Sequence, residues 1–231
     1  MSGVVAYLLA GAGPSTSRRA VRYHRDCVRA TGKARPRIAY VGAAANDNRA
    51  FAAMLRALVF GAGADVELVS LGRKATATST LRHKLADADL VFFTGGDVER
   101  GMQLIEQRGL GPYLRELALQ GKPMEGISAG SILLGRSWVR FPDGDEARAE
   151  RFACLGIVPC SFDTHGEGDG WEELLQLARL LAHDPAEREV YGIPSGGCAR
   201  WQGGALAALG EPLARFACAD PPVALAPLAC A

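Results

Sequence analysis

Residues 126–130 read Gly-Ile-Ser-Ala-Gly. A serine with a glycine two residues to either side suits a chain that turns sharply from a strand into a helix. Such a nucleophile elbow lifts the hydroxyl clear of the sheet and aims the next backbone N–H groups at the same point. The chemistry implied is attack by an alcohol, with Ser128 needing a base for its proton and donors for the oxyanion it creates. Four histidines are available, at 24, 83, 165 and 183. His24 and His83 lie in polar helical stretches, and His183 follows a helix that Pro185 ends, so all three are expected on solvated surface. His165 differs: it sits in SFDTHGEGDG, at the end of an extended run and before a glycine-rich loop, where an imidazole can reach Ser128. A carboxylate should orient that imidazole, and Asp143, Asp145 and Asp163 are the candidates. Asp163 shares a face with His165 on extended backbone, and Asp143 lies in the turn FPDGDE. For the oxyanion, the segment Thr94-Gly95-Gly96-Asp97 ends a strand expected beside that of Ser128. The N–H groups of Gly96 and Ala129 can then converge on one substrate oxygen.

The elements that must position these groups are legible along the first half. Val4–Leu9, Arg37–Val41, Asp65–Leu71, Asp89–Phe93 and residues 122–127 read as strands. Between them, Arg18–Thr31, Ala50–Phe60, Ser79–Ala86 and Gly101–Leu119 read as helices, and Ser131–Leu134 begins another. Such alternation predicts βαβ units and a mostly parallel sheet covered on both faces, with ligands past the carboxyl ends of the strands. GAGPS, GAAAND, TGGD and GISAG would all lie on that rim. One segment fits poorly, because KPMEG would bury Glu125 in a parallel sheet. Farther on, Arg151–Cys160 and Ser161–Asp163 look extended, Trp171–Ala182 carries a helical apolar face, and Val190–Ile193, Gly197–Trp201 and Ala205–Leu209 look like strands.

The bulk properties narrow the class. With 231 residues, 48% of them apolar, and no repeat or linker, one globular α/β domain over 1–231 is expected. A net charge of +1 gives no reason to invoke nucleic acid or an anionic membrane. The six cysteines form no C-x-x-C pair and suit small core residues in a reducing compartment, with no metal site implied. The start, MSGVVAYLLAGAGPS, has no basic region before its apolar run, which breaks at Gly11. No run approaches the ~20 apolar residues of a membrane helix. A cytoplasmic location is therefore expected. An edge strand or apolar helix face could pair two copies as a homodimer.

Taken together, FFTGGD (92–97), GISAGS (126–131), LGIVPCSFDTH (155–165) and YGIPSGG (191–197) resemble the dipeptidase E and cyanophycinase family of serine peptidases, in order and over most of the chain. The resemblance implies a class I glutamine amidotransferase-like fold, a three-layer α/β sandwich with a mostly parallel central sheet and serine at the elbow. It implies Ser128 as nucleophile, His165 as base, Gly96 and Ala129 as oxyanion donors, and no cofactor. The dipeptidase E pattern places an aspartate shortly after the elbow, matching Asp143. The cyanophycinase pattern uses a glutamate in G-I-x-E-G, where this chain has Ser195. Asp143 is therefore preferred as third member, with Asp163 in reserve. Expected substrate contacts are Gly95, Asp97, Glu125, Asp163 and Arg179. Members acting on aspartyl substrates carry arginine after the histidine. Here GEGDGWEELLQLARLL offers only Arg179, and Glu167, Asp169, Glu172 and Glu173 should repel an acidic substrate and suit an amine or a basic side chain. The expected activity is hydrolysis of dipeptides or short peptides. The rivals are an amidase or esterase with the same site and a non-catalytic binder of a small ligand.

Overall fold

The computed structural model describes residues 3–11, 17–61 and 64–231, so most of the expected GAGPS turn lies outside the described residues. Its strands are β1 (Val5–Leu9), β2 (Arg37–Val41), β3 (Asp65–Val69), β4 (Leu90–Phe93), β5 (Met124–Ile127), β6 (Ser137–Arg140), β7 (Glu150–Ala153), β8 (Ser161–Thr164), β9 (Glu189–Ile193), β10 (Cys198–Gln202), β11 (Ala205–Leu209), β12 (Leu213–Ala217) and β13 (Val223–Leu228). Its α-helices are α1 (Ser17–Ala30), α2 (Arg49–Leu55), α3 (Thr78–Asp87), α4 (Val98–Gln107), α5 (Gly111–Leu119), α6 (Ala129–Leu134) and α7 (Glu172–Leu180).

The large sheet has the order β11-β10-β1-β5-β4-β2-β3. β1, β5, β4, β2 and β3 are parallel, and β10 and β11 extend the β1 edge antiparallel. The alternation of side chains along each strand assigns the two faces. Tyr7, Leu9, Ile38, Tyr40, Leu90 and Phe92 pack against Tyr23 and Cys27 of α1 and Ala52 and Leu55 of α2. Ala6, Leu8, Ala39, Val41, Val91, Phe93 and Met124 face the opposite layer, with Leu81, Met102, Ile105, Leu114 and Leu133 from α3 to α6. With both faces covered, a strand such as LVFF reads as unbroken apolar sequence. The expected helix over 50–60 divides: Asn48 caps α2 through its side chain, and residues 56–60 continue as a wider turn.

Register explains the awkward Glu125. Met124 takes the α3–α6 face, so the next side chain falls on the α1 face, where it is fully buried. There Glu125 Oε2 meets His24 Nδ1 at 2.7 Å. His24 is thus a core residue and not the solvated one expected. Burial alone would lower its pKa, but the charge and hydrogen bond of Glu125 raise it above the ordinary value. The cysteines are all free, three of them buried. No helix among the described residues is long and apolar enough to cross a membrane.

A second sheet, β13-β12-β9-β8, was only partly foreseen. LARFA and VALAPL are alanine-rich and contain a proline, so β12 and β13 carry weak strand signals. α7 covers this sheet, its Leu174, Leu177 and Ala178 packing with Val190 of β9 and with Val139 of β6. Of the expected run 151–160, only the start is strand. The rest caps α6: the N–H groups of Leu155, Val158 and Gly156 donate to the carbonyls of Leu133, Leu134 and Gly135 at 2.9, 2.9 and 2.6 Å. This cap leads directly into β8 and fixes the second sheet against the end of the first.

Candidate active site

β5 ends at Ile127 and α6 begins at Ala129, so Ser128 alone must redirect the chain. It does so at φ 52°, ψ −123°, a strained backbone for a residue with a side chain. The surrounding bonds hold it there. The Ser128 N–H donates to the Leu9 carbonyl at 2.8 Å, and its own carbonyl accepts from the N–H groups of Ser131 and Ile132 at 2.7 and 3.2 Å. Ser131 Oγ adds a bond to the same Leu9 carbonyl at 2.8 Å. The flanking glycines are required by close approach. A Cβ on Gly126 would stand 2.5 Å from the Gly130 carbonyl, and one on Gly130 2.2 Å from the Phe93 oxygen.

His165 comes from the other sheet. It follows β8 at φ 49°, and its N–H donates to the Ile193 carbonyl at 2.9 Å. Its Nε2 lies 2.9 Å from Ser128 Oγ. A hydroxyl donating to Nε2 leaves the neutral ring's proton on Nδ1. That nitrogen meets no hydrogen-bond partner among the described residues. On the other side of Ser128, Gly95 packs so closely that a Cβ there would stand 3.2 Å from that of the serine. Gly96 adopts φ 138°, and a Cβ on it would stand 2.1 Å from the Ala44 oxygen. The next N–H, of Asp97, donates to that same oxygen at 2.9 Å. Gly96 and Ala129 both border the cavity over Ser128, and among the described residues their N–H groups meet no acceptor.

That cavity has a volume of about 430 Å³. Asp97, Glu99, Asp163, Asp169 and Glu173 line it together with Trp138, and among the described residues no lysine or arginine does. Each acid has its own attachment. Asp97 caps α4 by accepting from the Arg100 N–H at 2.9 Å. Asp163 accepts from the Thr164 N–H at 2.8 Å, yet burial, reinforced by Glu173 and Asp169, pushes its pKa up to about 7. Glu173 accepts from Trp138 Nε1 at 3.2 Å, and burial raises its pKa too. Glu167, in the same loop as His165, accepts from the Ser195 N–H at 3.0 Å. Burial opposes its charge, but the Ser195 bonds and the neighbouring His165 hold its pKa below the usual range.

Four candidate site residues stand elsewhere. Asp143 lies in the turn joining β6 to β7, its side chain 86% exposed and bonded to Arg148 at 3.0 Å. The hairpin carries it outward, and it does not line the cavity. Asp145 caps the next turn through the Ala147 N–H. Arg179 is exposed on the last turn of α7, away from the cavity, and Glu125 is sealed against α1 by its pairing with His24. Conversely, Glu99 and Trp138 line the cavity although no motif singled them out; Trp138 lies on β6, a strand the sequence did not signal. Among the described residues no group of three His, Cys, Asp or Glu side chains is arranged to hold a metal ion.

Comparison with known proteins follows the same lines. The sequence matches the model described as Peptidase family S51 over residues 7–209. A peptidase E of Shewanella oneidensis is 30% identical over 145 residues, 60% of this chain and 61% of that protein. A peptidase E of Streptomyces coelicolor is 30% identical over 129 residues, 56% of this chain and 51% of that protein. The matched stretch thus spans less than two thirds of each curated relative. A crystal structure of a peptidase from an acI-B1 actinobacterium superposes with a TM-score of 0.62 at 16% identity, covering 97% of this chain and 94% of that one, a likeness of fold.

Proposed function

This chain belongs to peptidase family S51, and on that premise we propose that it hydrolyses short peptides with Ser128 as nucleophile and His165 as base. The observation that carries the reading is the 2.9 Å approach of His165 Nε2 to Ser128 Oγ at a sharp strand-to-helix turn. As Oγ attacks the scissile carbonyl, its proton passes to Nε2 and the carbonyl oxygen becomes an oxyanion facing the N–H groups of Gly96 and Ala129. Collapse of the tetrahedral species breaks the C–N bond, and the imidazolium gives its proton to the leaving amine. Water then attacks the acyl-serine, its proton taken by Nε2 and returned to Oγ. The cavity size suits a short substrate, and its carboxylates favour an ammonium group or a basic side chain over an acidic one.

A fluorophosphonate probe tests the nucleophile. The expected result is a single adduct on Ser128, absent in Ser128→Ala. A folded protein that takes no label would refute a serine mechanism and leave a ligand-binding role. A dipeptide panel with Asp, Arg and neutral first residues tests the cavity's charge, and fastest cleavage of the Asp members would overturn the preference stated here.

A further inference from the structure

Another cavity, with a volume of about 660 Å³, opens on the α1 face of the large sheet. Its walls are α1 from Val21 onward, the loop that leads into β2, and the segment that follows α2. Arg35, Pro36 and Ile38 place it at the amino end of β2, the opposite rim of the parallel sheet from Ser128. It shares no lining residue with the cavity over Ser128, so its occupant is a question separate from the serine chemistry.

The lining divides by chemistry. Val21, Val28, Ile38, Val59 and Phe60 make an apolar interior. The Phe60 ring stands 4.9 Å from that of His24 and is braced edge-on against Phe92. Such a wall suits a flat aromatic body. Arg25, Arg29, Lys33 and Arg35 surround the interior, all four exposed, and among the described residues no aspartate or glutamate lines it with them. Arg29 already pairs with Asp26 at 2.5 Å and Lys33 with Asp89 at 2.7 Å. Arg25 and Arg35 have no ion pair among the described residues. The floor adds an independent observation. His24 is only 3% exposed, yet it borders the cavity. Glu125 occupies its Nδ1 at 2.7 Å, and its Nε2 meets no partner among the described residues. A buried nitrogen without a partner is costly, so an atom supplied by an occupant would satisfy it. Burial disfavours the charged ring, but the charge and hydrogen bond of Glu125 raise its pKa overall, which favours a proton on both nitrogens and makes Nε2 a donor.

We propose that this cavity binds a phosphate monoester of an aromatic or heteroaromatic group, of about the size of a nucleotide. The aromatic body lies between Phe60 and the valines of α1, an acceptor at its inner edge bonds His24 Nε2, and the phosphate meets Arg25 and Arg35 at the mouth. The volume of about 660 Å³ falls in the range of small-molecule sites. A phosphate monoester carries roughly two negative charges near neutral pH and accepts paired N–H bonds from guanidinium groups, matching the two unpaired arginines. A carboxylate brings less charge, and inorganic phosphate would leave the apolar interior empty.

Binding to the full chain tests this by fluorescence, without turnover. Naphthyl phosphate should saturate a single site, with naphthol and inorganic phosphate each at least about tenfold weaker. Arg25→Glu/Arg35→Glu should weaken naphthyl phosphate about tenfold or more and leave naphthol unchanged, because both side chains are exposed and the change is one of charge. Ala57→Trp, at an exposed position on the cavity wall, should fill the space and abolish binding of both. Quinolinyl phosphate, which adds a ring nitrogen, should bind more tightly than naphthyl phosphate, and that gain should vanish in His24→Leu/Glu125→Leu. Circular dichroism verifies that each variant is folded. No saturable binding of naphthyl phosphate to the wild-type chain, or unchanged affinity in folded Arg25→Glu/Arg35→Glu, would overturn the site. Naphthoate binding as tightly as naphthyl phosphate would overturn the phosphate assignment.

Discussion

Replacing His24 by leucine strips Glu125 of its one hydrogen-bond partner among the described residues. The carboxylate is fully buried: Oε2 is bound to His24, and Oε1 has no partner among the described residues. Leucine nearly fills the space of the imidazole, so the main loss is electrostatic. Breaking one side of a buried pair costs about 3–5 kcal/mol. In a chain of 231 residues that lowers the unfolding midpoint by roughly 6–20 °C, at about 2–4 °C per kcal/mol. The double variant His24→Leu/Glu125→Leu removes both charges and should return to within about 1–2 kcal/mol of the parent, because a packed apolar pair often equals a buried ionic one. The pH dependence has a definite direction. Folding raises the pKa of His24, so the folded chain binds the proton more tightly than the unfolded one. The pair's stabilisation is therefore complete below the ordinary histidine range, about 6.5, and declines as pH rises through the elevated folded value. Urea melts followed by circular dichroism at pH 5.5 and pH 9 read both quantities. A His24→Leu loss below about 1 kcal/mol at pH 5.5, or a double variant as unstable as the single ones, would refute the account of this pair.

Other predictions concern the turn and the cavity. Gly130→Ala should be severely destabilising and abolish probe labelling, since its Cβ would fall 2.2 Å from the Phe93 oxygen, whereas Gly168→Ala, with open space around it, should change the melting temperature little. Asp163→Asn should stabilise the fold by an amount that is negligible near pH 4, grows as pH rises to about 7 and levels off above it. The folded-state pKa of that acid is raised, so its ionisation works against folding over that window; a constant gain from pH 4 to 8 in thermal melts would contradict this.

Much of this arrangement was legible because it depends on local rules. The parallel strands show as apolar runs with helices between them, and β2 and β11 were bounded to the residue. Ser128, Gly96 and His165 stood out because strained turns demand glycine or sit at strand ends, which a sequence displays. Glu125 and His24 could not be paired from sequence, since neither local pattern signals that β5 register and the α1 face bring them together across 101 residues. Asp143 was favoured by the family resemblance, which implies an aspartate shortly after the elbow, but such a pattern does not reveal that the β6–β7 hairpin carries the turn outward. Glu167 was visible only as one of several acids. Its bond to the Ser195 N–H could not be read, because a backbone group has no signature in the residue type.

Ser128 and His165 are carried by two different sheets, joined by the cap on α6 and by the Arg136 N–H to Cys160 carbonyl bond of 2.9 Å. The reactivity proposed for Ser128 is therefore a property of a joint rather than of either half. Slippage of a single ångström along that seam would silence the hydroxyl while each sheet kept its own ladder intact. Inactivation on warming should consequently precede the loss of secondary structure, and changes to residues 155–160 should alter reaction rate far more than they alter circular dichroism.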